Sequence, residues 1–363
     1  MKGYVPIFLL LTITLLRAEM QKVKGVGYPF QDWQAWDSMG LGVGYVSISQ
    51  SEGSMLLWFG ARFKGLDSLV RLEGPDLSSL KRVAPQFDTR MVNDYGRDLD
   101  GVPHPILSRT TGHRLADGTE VVQASIGPRY TGGGSELCPV LFVRVKGGEW
   151  KYLGIPEGDP ERFVSAVWEK GATVRCEGGG LVQLPGGQLR LYNHGMMDPE
   201  RVREKVKGKR ASSGQILIAE SETLEGPWTF LRDDQKQVID ITKGSGLPWL
   251  FPHVQPLGEH GVMLTGADQW PPKAVYAAYS RDGVNFVLPV TEEGKPVPLR
   301  RMEDVNPDAR FCKSLRGTLI EKTGMFSAVM NVSTPGDQGM SMLYSGGAQL
   351  NVNAWNALFE SGE

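Results

Sequence analysis

Arg175-Cys176-Glu177-Gly178-Gly179-Gly180 opens a stretch that runs into Leu181-Val182-Gln183-Leu184, turns at Pro185-Gly186-Gly187 and returns as Gln188-Leu189-Arg190-Leu191-Tyr192. A Pro-Gly-Gly turn between two strand-like runs reads as a hairpin. After a polar, basic excursion come Gln215 to Ser221 and then Glu225-Gly226-Pro227-Trp228-Thr229-Phe230, a second strand pair closed by Gly-Pro. Four short strands in series form one antiparallel meander, the size of a propeller blade.

The same grammar recurs along the chain. A first copy holds Gly44 to Ile48, a turn at Glu52-Gly53, Met55 to Phe59, and Leu69 to Leu72. The second has Arg114-Leu115, an Asp117-Gly118 turn, Glu120 to Ala124, Val140 to Arg144 and Glu149 to Leu153. The stretch quoted above is the third. A fourth has His253 to Leu257, a turn near His260-Gly261, Val262 to Leu264, Val275 to Ser280 and Asp282 to Phe286. The fifth has Gly317 to Ile320, Thr323-Gly324, Phe326 to Met330 and Met340 to Tyr344. A β-sandwich also alternates and turns at short intervals, but the recurring order within each copy favours an all-β, five-bladed propeller of four-stranded antiparallel blades. Helical periodicity is weak, with short candidates at Pro160 to Trp168 and Pro199 to Val206.

Composition agrees. Of 363 residues, 40% are hydrophobic and 22% charged, and 46 Gly with 23 Pro supply turn residues. Propellers grow by adding radial sheets, so this length fits one domain, residues 19–363. A net charge of -2 gives no electrostatic case for nucleic acid. Lys2, an apolar run from Val5 to Leu16 and Arg17-Ala18 have the layout of a signal peptide over residues 1–18. This predicts a secreted or periplasmic protein, with no membrane attachment after cleavage. The three cysteines, Cys138, Cys176 and Cys312, lie in or beside strand-like runs and read as buried thiols; no pair has metal-ligand spacing.

The third copy, Glu177-Gly178 leading into a hairpin and ending Ile218-Ala219-Glu220-Ser221 with Glu225-Gly226-Pro227-Trp228, resembles a blade of the five-bladed propeller glycoside hydrolases of the arabinanase, β-xylosidase and invertase type. The run Tyr279-Ser280-Arg281-Asp282-Gly283-Val284-Asn285-Phe286 is similar to the outer strand pair of such blades. In those families a Glu followed by a small residue, at the start of an innermost strand, is the general acid, and Glu177 matches it. The resemblance also implies an Asp base in the first blade and a second Asp that orients the acid. Asp32 and Asp37 are the first-blade choices, and Asp94, Asp98 and Asp100 the second-blade ones, none in the family's Asp-Pro context. We take Asp37 as base and Asp100 as modulator, with a solvated turn carboxylate as the plainer reading of each.

Glycoside hydrolysis needs a proton donor and a facing carboxylate across the scissile bond. In a propeller, the loops leading into the innermost strands and those between second and third strands share one face and converge on the axis. Candidates there for sugar contact are Trp36, Arg109, Arg129, Tyr130, Arg175, His194, His253 and Trp270, because sugars stack on rings and hydrogen-bond to Arg and His. No metal ligand is assigned and no cofactor is required. Some relatives hold an ion near an axial His, which makes His253 its candidate neighbour; a buried, hydrogen-bonded His explains it equally well. The expected partner is a carbohydrate, a polysaccharide or its oligosaccharides. Arg175, Arg109, Arg129, Arg310 and Arg316 raise the alternative of a sialidase-like hydrolase of an acidic sugar, since guanidinium forks match carboxylates. A non-catalytic glycan-binding propeller is the alternative from another class.

Overall fold

The computed structural model describes residues 19–43, 45–51, 53–63, 66–83, 86–92, 106–127, 138–146, 148–154, 177–195, 215–268, 271–335 and 342–360. Three short strands lead: β1 (Gln21–Lys24), β2 (Phe30–Gln31) and β3 (Asp37–Gly42). Five antiparallel sheets follow in chain order. Blade 1 comprises β4 (Val46–Ser51), β5 (Ser54–Phe63), β6 (Leu66–Gly74), β7 (Lys81–Arg82) and β8 (Phe87–Asp88). Blade 2 holds β9 (Ile106–Arg114), β10 (Glu120–Gly127), β11 (Cys138–Arg144) and β12 (Lys151–Gly154). Blade 3 is β13 (Glu177–Gln183), β14 (Leu189–Gly195), β15 (Gln215–Ser221) and β16 (Thr229–Phe230). In blade 4, β17 (Leu250–Pro256), β18 (Val262–Ala267), β19 (Ala274–Ser280) and β20 (Val287–Val290) are joined by β21 (Arg300–Arg301). Blade 5 is β22 (Phe311–Ile320), β23 (Met325–Ser333) and β24 (Met342–Leu350).

The inner strands neighbour one another in the order β4, β9, β13, β17, β22 and back to β4, which closes the ring. The leading strands finish the last two blades. β1 pairs in parallel with β20 of blade 4, while β2 and β3 both pair with β24 of blade 5. The five-bladed propeller expected from the sequence is the observed fold. The inner strands carry Val46, Arg114, Val182, Val254 and Leu319, each in the first strand-like run of its copy.

Each blade is sandwiched between two others, so its middle strands bury both faces and read as continuous apolar runs rather than as alternation. Met55 to Phe59, Val140 to Val143 and Val262 to Leu264 are all buried. The core is therefore a ring of seams. One cluster joins blades 1, 2 and 3 around Trp58, Phe142 and Trp228. Others join blades 3 and 4 around Trp249 and Phe286, blades 4 and 5 around Tyr279 and Phe326, and blades 5 and 1 around Phe59 and Leu343. A C-terminal helix, α1 (Val352–Glu360), covers the outer seam of blades 4 and 5 with Trp355, whose ring lies 5.5 Å from Tyr279. Its N-terminus is capped by Asn351 Oδ1, which accepts from Ala354 N–H at 3.0 Å. The sequence candidates for helices, at 160–168 and 199–206, lie outside the described residues.

Ser280 to Phe286 is a turn, not an outer strand pair. The Asp282 carboxylate accepts from Val284 N–H, Asn285 N–H and Ser280 Oγ, each at 2.9 Å, and Phe286 is buried beneath it. Burial works to raise this carboxyl, but the donors from Asn285, Val284 and Ser280 outweigh it and hold it below the usual range. Cys312 is a free, buried thiol that burial pushes up to about 12. The side chains of Cys138 and Cys176, and residues 1–18, lie outside the described residues. No helix among the described residues is long and apolar enough to cross a membrane.

Candidate active site at the propeller axis

Four of the five inner strands carry a bulge near their starts, where two inner residues oppose one on the second strand. They fall at Arg109-Thr110 in β9, Gly179 in β13, Phe251-Pro252 in β17 and Lys313-Ser314 in β22. A bulge leaves backbone groups unpaired and re-aims side chains. Along the inner strands, buried polar side chains from the preceding blade accept from backbone N–H groups. Gly112 N–H donates to Ser47 Oγ at 2.5 Å, Gly180 N–H to Gln123 Oε1 at 2.8 Å and Gly317 N–H to Gln255 Oε1 at 2.8 Å. Asn331 Nδ2 continues the pattern by donating to Val43 O at 2.6 Å, ahead of the first inner strand.

At mid-axis the His113 and His253 rings lie 5.9 Å apart and within 16° of parallel. His113 Nε2 accepts from Leu181 N–H at 3.3 Å, so the neutral ring carries its proton on Nδ1. Burial, with the Arg316 guanidinium adding repulsion, lowers His113 to about 4. Its neighbour His253 is buried, and His253 Nδ1 has no hydrogen-bond partner among the described residues. Above the pair, toward the strand starts, a water-sized cavity of about 10 Å³ is lined by Tyr45, Thr110, Thr111, Phe251, Pro252 and Arg316. Arg316 Nη2 donates to Phe251 O at 3.2 Å.

The start of blade 4 is built against local preference. Trp249 and Phe251 both take left-handed backbone, at φ 46° and 54°, a conformation that costs a bulky residue about 1–3 kcal/mol. Trp249 is anchored by full burial and by its Nε1, which donates to Ser245 Oγ at 2.9 Å. Phe251 leans on Tyr45 across the ring, with centroids 5.9 Å apart. On the neighbouring blade Glu177 begins β13, and it is the only acidic residue on the five inner strands.

The structure sorts the candidate residues. Glu177 stands opposite His194 in the register of β13 and β14, so the two share a face of blade 3; the Glu177 side chain lies outside the described residues. His194 is half-buried. Arg109 falls at the bulge of β9, with its side chain outside the described residues, as are Asp94, Asp98, Asp100, Arg129, Tyr130, Arg175 and Trp270 entirely.

Asp37 is placed elsewhere. It is an exposed residue of β3, opposite Ser345, three strand spacings or about 14 Å out from the inner strand of blade 5. The segment expected to be a loop before blade 1 is recruited as an edge strand of blade 5, and Asp37 goes with it. Trp36 moves for the same reason. It stacks on Trp33 at 5.5 Å and lies flat on Gly346, where a Cβ would come within 2.7 Å of its ring, so it packs the blade instead of lining a mouth. Among the described residues no three His, Cys, Asp or Glu side chains converge, and the Arg316 guanidinium acts on His113. Sequence reading missed His113; a lone His in a strand gave no signal of its position at the axis.

No family model matches the sequence, and no curated protein matches it. Solved structures do. The chain is similar to a xylan β-1,4-xylosidase from Bacillus halodurans C-125, with a TM-score of 0.55 and 15% identity over 86% of this chain; it spans about half, 53%, of the xylosidase. A thermostable family-43 glycoside hydrolase gives a TM-score of 0.52 at 12% identity, covering 85% of this chain and 90% of that one. A family 117 glycoside hydrolase from the marine bacterium Zobellia galactanivorans gives 0.52 at 10% identity, with 88% and 91% covered. The chain has the five-bladed propeller fold on which these glycoside hydrolases are built.

Proposed function

We propose that this protein is an exported glycoside hydrolase acting on a polysaccharide or its oligosaccharides, with Glu177 as proton donor at the axial mouth. The observation that carries the reading is the position of Glu177. It is the single acidic residue of the five inner strands, it sits at the start of its strand, and the bulge two residues on opens the ladder beside it. A carboxyl at a closed-in axial mouth is desolvated, which raises its pKa toward the working range of a donor. The second carboxylate then comes from a connection on the same face. Residues 93–105, which lead into β9, carry Asp94, Asp98 and Asp100, and Asp100 is the nearest of the three to the strand. The substrate is placed by His194 beside Glu177 and by the rim residues Arg109, Arg129, Tyr130, Arg175 and Trp270. Export follows from the apolar run at residues 5–16.

Glu177→Gln tests the assignment. Loss of a general acid costs roughly two to four orders of magnitude in rate on a natural glycan. An activated aryl glycoside, whose leaving group needs little protonation, is impaired far less. Full activity of Glu177→Gln on the natural glycan sinks the reading. One observation favours a second reading, a glycan-binding propeller without turnover: the segment leading into the first inner strand, Met39 to Tyr45, contains no carboxylate. A wild type that binds a glycan and never cleaves it selects that reading. The sialidase-like alternative loses support, because the ring closes with five blades and not six.

A further inference from the structure

Glu177 is followed by three glycines, Gly178, Gly179 and Gly180, so the start of β13 has no side chains of its own to fix it. Glycine has the most backbone freedom to lose, and a proton donor standing on such a stretch is aimed loosely unless the backbone is held from outside. The hold comes from one residue of the preceding blade. Gln123, on β10, is fully buried, and its amide uses both ends on blade 3. Gln123 Oε1 accepts from Gly180 N–H at 2.8 Å, while its Nε2 donates to Tyr192 O at 3.3 Å and to Asn193 Oδ1 at 3.2 Å.

Those partners fall where the ladder slips. Gly180 stands opposite Tyr192 and Gly178 opposite Asn193, with Gly179 the extra residue between them. One planar amide therefore spans the bulge and grips both strands within three residues of Glu177. Its orientation is fixed, since a backbone N–H can only donate and a carbonyl oxygen only accept. Gln123 is itself held, because Thr111, its register partner on β9, donates to Gln123 O at 3.3 Å. Gln255 offers a comparison within the same ring. Its Oε1 accepts from Gly317 N–H at 2.8 Å, but its Nε2 has no partner among the described residues, and the strand it serves carries no acid.

With Glu177 as the proton donor, the reading on which this rests, we propose that Gln123 is a positioning residue for proton donation. Its amide sets the backbone from which Glu177 projects, and so the reach of the carboxyl to the leaving oxygen. Gln123 lies buried behind the strand and touches no substrate. Its loss should therefore act on the step that needs the proton and little on binding. A misplacement of about 1 Å is enough to cost on the order of 100-fold in rate.

Gln123→Met keeps the volume and removes every bond of the amide. Gln123→Glu, assayed at about pH 5 where burial keeps the introduced carboxyl protonated, retains an acceptor for Gly180 and an O–H for Tyr192 O. Both are measured in the full chain on xylo-, arabino- and galacto-oligosaccharides and on the 4-nitrophenyl glycosides of the same sugars, beside Gln255→Met. On the oligosaccharide that the wild type cleaves, Gln123→Met is expected to lower kcat by about 100-fold with KM within about threefold, and to lower turnover of the 4-nitrophenyl glycoside by less than about tenfold. Gln123→Glu should recover most of the lost rate. Gln255→Met removes an amide of the same kind at another seam and should leave the ratio of the two rates as in the wild type. Where Gln123→Met does not fold, Asn193→Ser, which takes one bond from the amide, should show a smaller loss of the same pattern. Equal loss on both kinds of substrate, a loss carried by KM, the same pattern in Gln255→Met, or no recovery in Gln123→Glu overturns the proposal. Full activity of Glu177→Gln, or no turnover by the wild type, is seen without any Gln123 variant and removes the proton-donor reading, and this proposal with it.

Discussion

Blades 3 and 4 approach the axis side by side and solve the same problem with opposite residues. Both inner strands bulge near their starts. Blade 3 does it with Gly178, Gly179 and Gly180, and Gly180 takes φ 127°, open to glycine at little cost. Its missing side chain lets the strand close on blade 4, since a Cβ there would stand 2.3 Å from Val254 O. Blade 4 does it with Trp249, Leu250, Phe251 and Pro252, holding two aromatic residues in left-handed backbone by burial and by cross-ring contact. The glycine bulge makes room for the close approach of Val254 to Gly180; the aromatic bulge is held by the burial of Trp249 and the contact of Phe251 with Tyr45. The contrast teaches that a bulge can be made by permissive backbone or by packing that overrides preference, and the two should fail differently.

Removing the buried Trp249 ring should have the largest effect. Trp249→Ala deletes a fully buried ring and is expected to cost about 4 kcal/mol, read from urea unfolding midpoints. A loss under 1 kcal/mol would mean that packing does not hold the left-handed backbone. Closing the glycine side comes next. Gly180→Ala drives a methyl into the Val254 carbonyl and should cost about 3 kcal/mol, with Gly179→Ala milder because its nearest contact is 3.0 Å.

The third test reads the histidine that ties blade 3 to blade 4, through its bond to Leu181 and its stacking on His253. Held near 4 in the folded chain against about 6.5 unfolded, His113 contributes stability that is complete above pH 6.5 and is lost as pH falls from 6.5 toward 4. The sign follows because the unfolded chain binds the proton first. The loss should be on the order of 3 kcal/mol, and His113→Gln, which keeps an acceptor but does not titrate, should flatten that part of the pH profile. A wild-type midpoint that is level between about pH 6.5 and 4.5 would break the assignment. The smallest effect is expected at the seam itself. Tyr192 Oη donates to Gly283 O at 2.7 Å, and Tyr192→Phe should cost about 1 kcal/mol.

The blades were legible because turn chemistry punctuates them: Asp117-Gly118, Pro185-Gly186-Gly187 and Thr323-Gly324 each separate strands that do pair. Glu177 was legible as the acidic start of an inner strand. Residues 21–42 were not, because β1, β2 and β3 are edge strands with few buried positions, and their partners lie far along the chain. Asp37 and Trp36 were misplaced as a result. Helix α1 had a readable signal in Asn351 followed by Trp355, Leu358 and Phe359 on one face, but at nine residues it falls below what periodicity alone detects. The bulges at Phe251-Pro252 and Lys313-Ser314 had none, since nothing local marks where a ladder slips.

The pairing of β3 with β24 joins Asp37 to Ser345 across 308 positions. The last sheet therefore cannot be finished from its own stretch of chain. During synthesis, residues 21–42 emerge long before β20 and β24 exist to receive them, so ring closure is a late event and the slow, non-local step of folding. Until it happens, blades 4 and 5 present bare edges to any other strand nearby, which makes the half-made protein a candidate for chaperone protection.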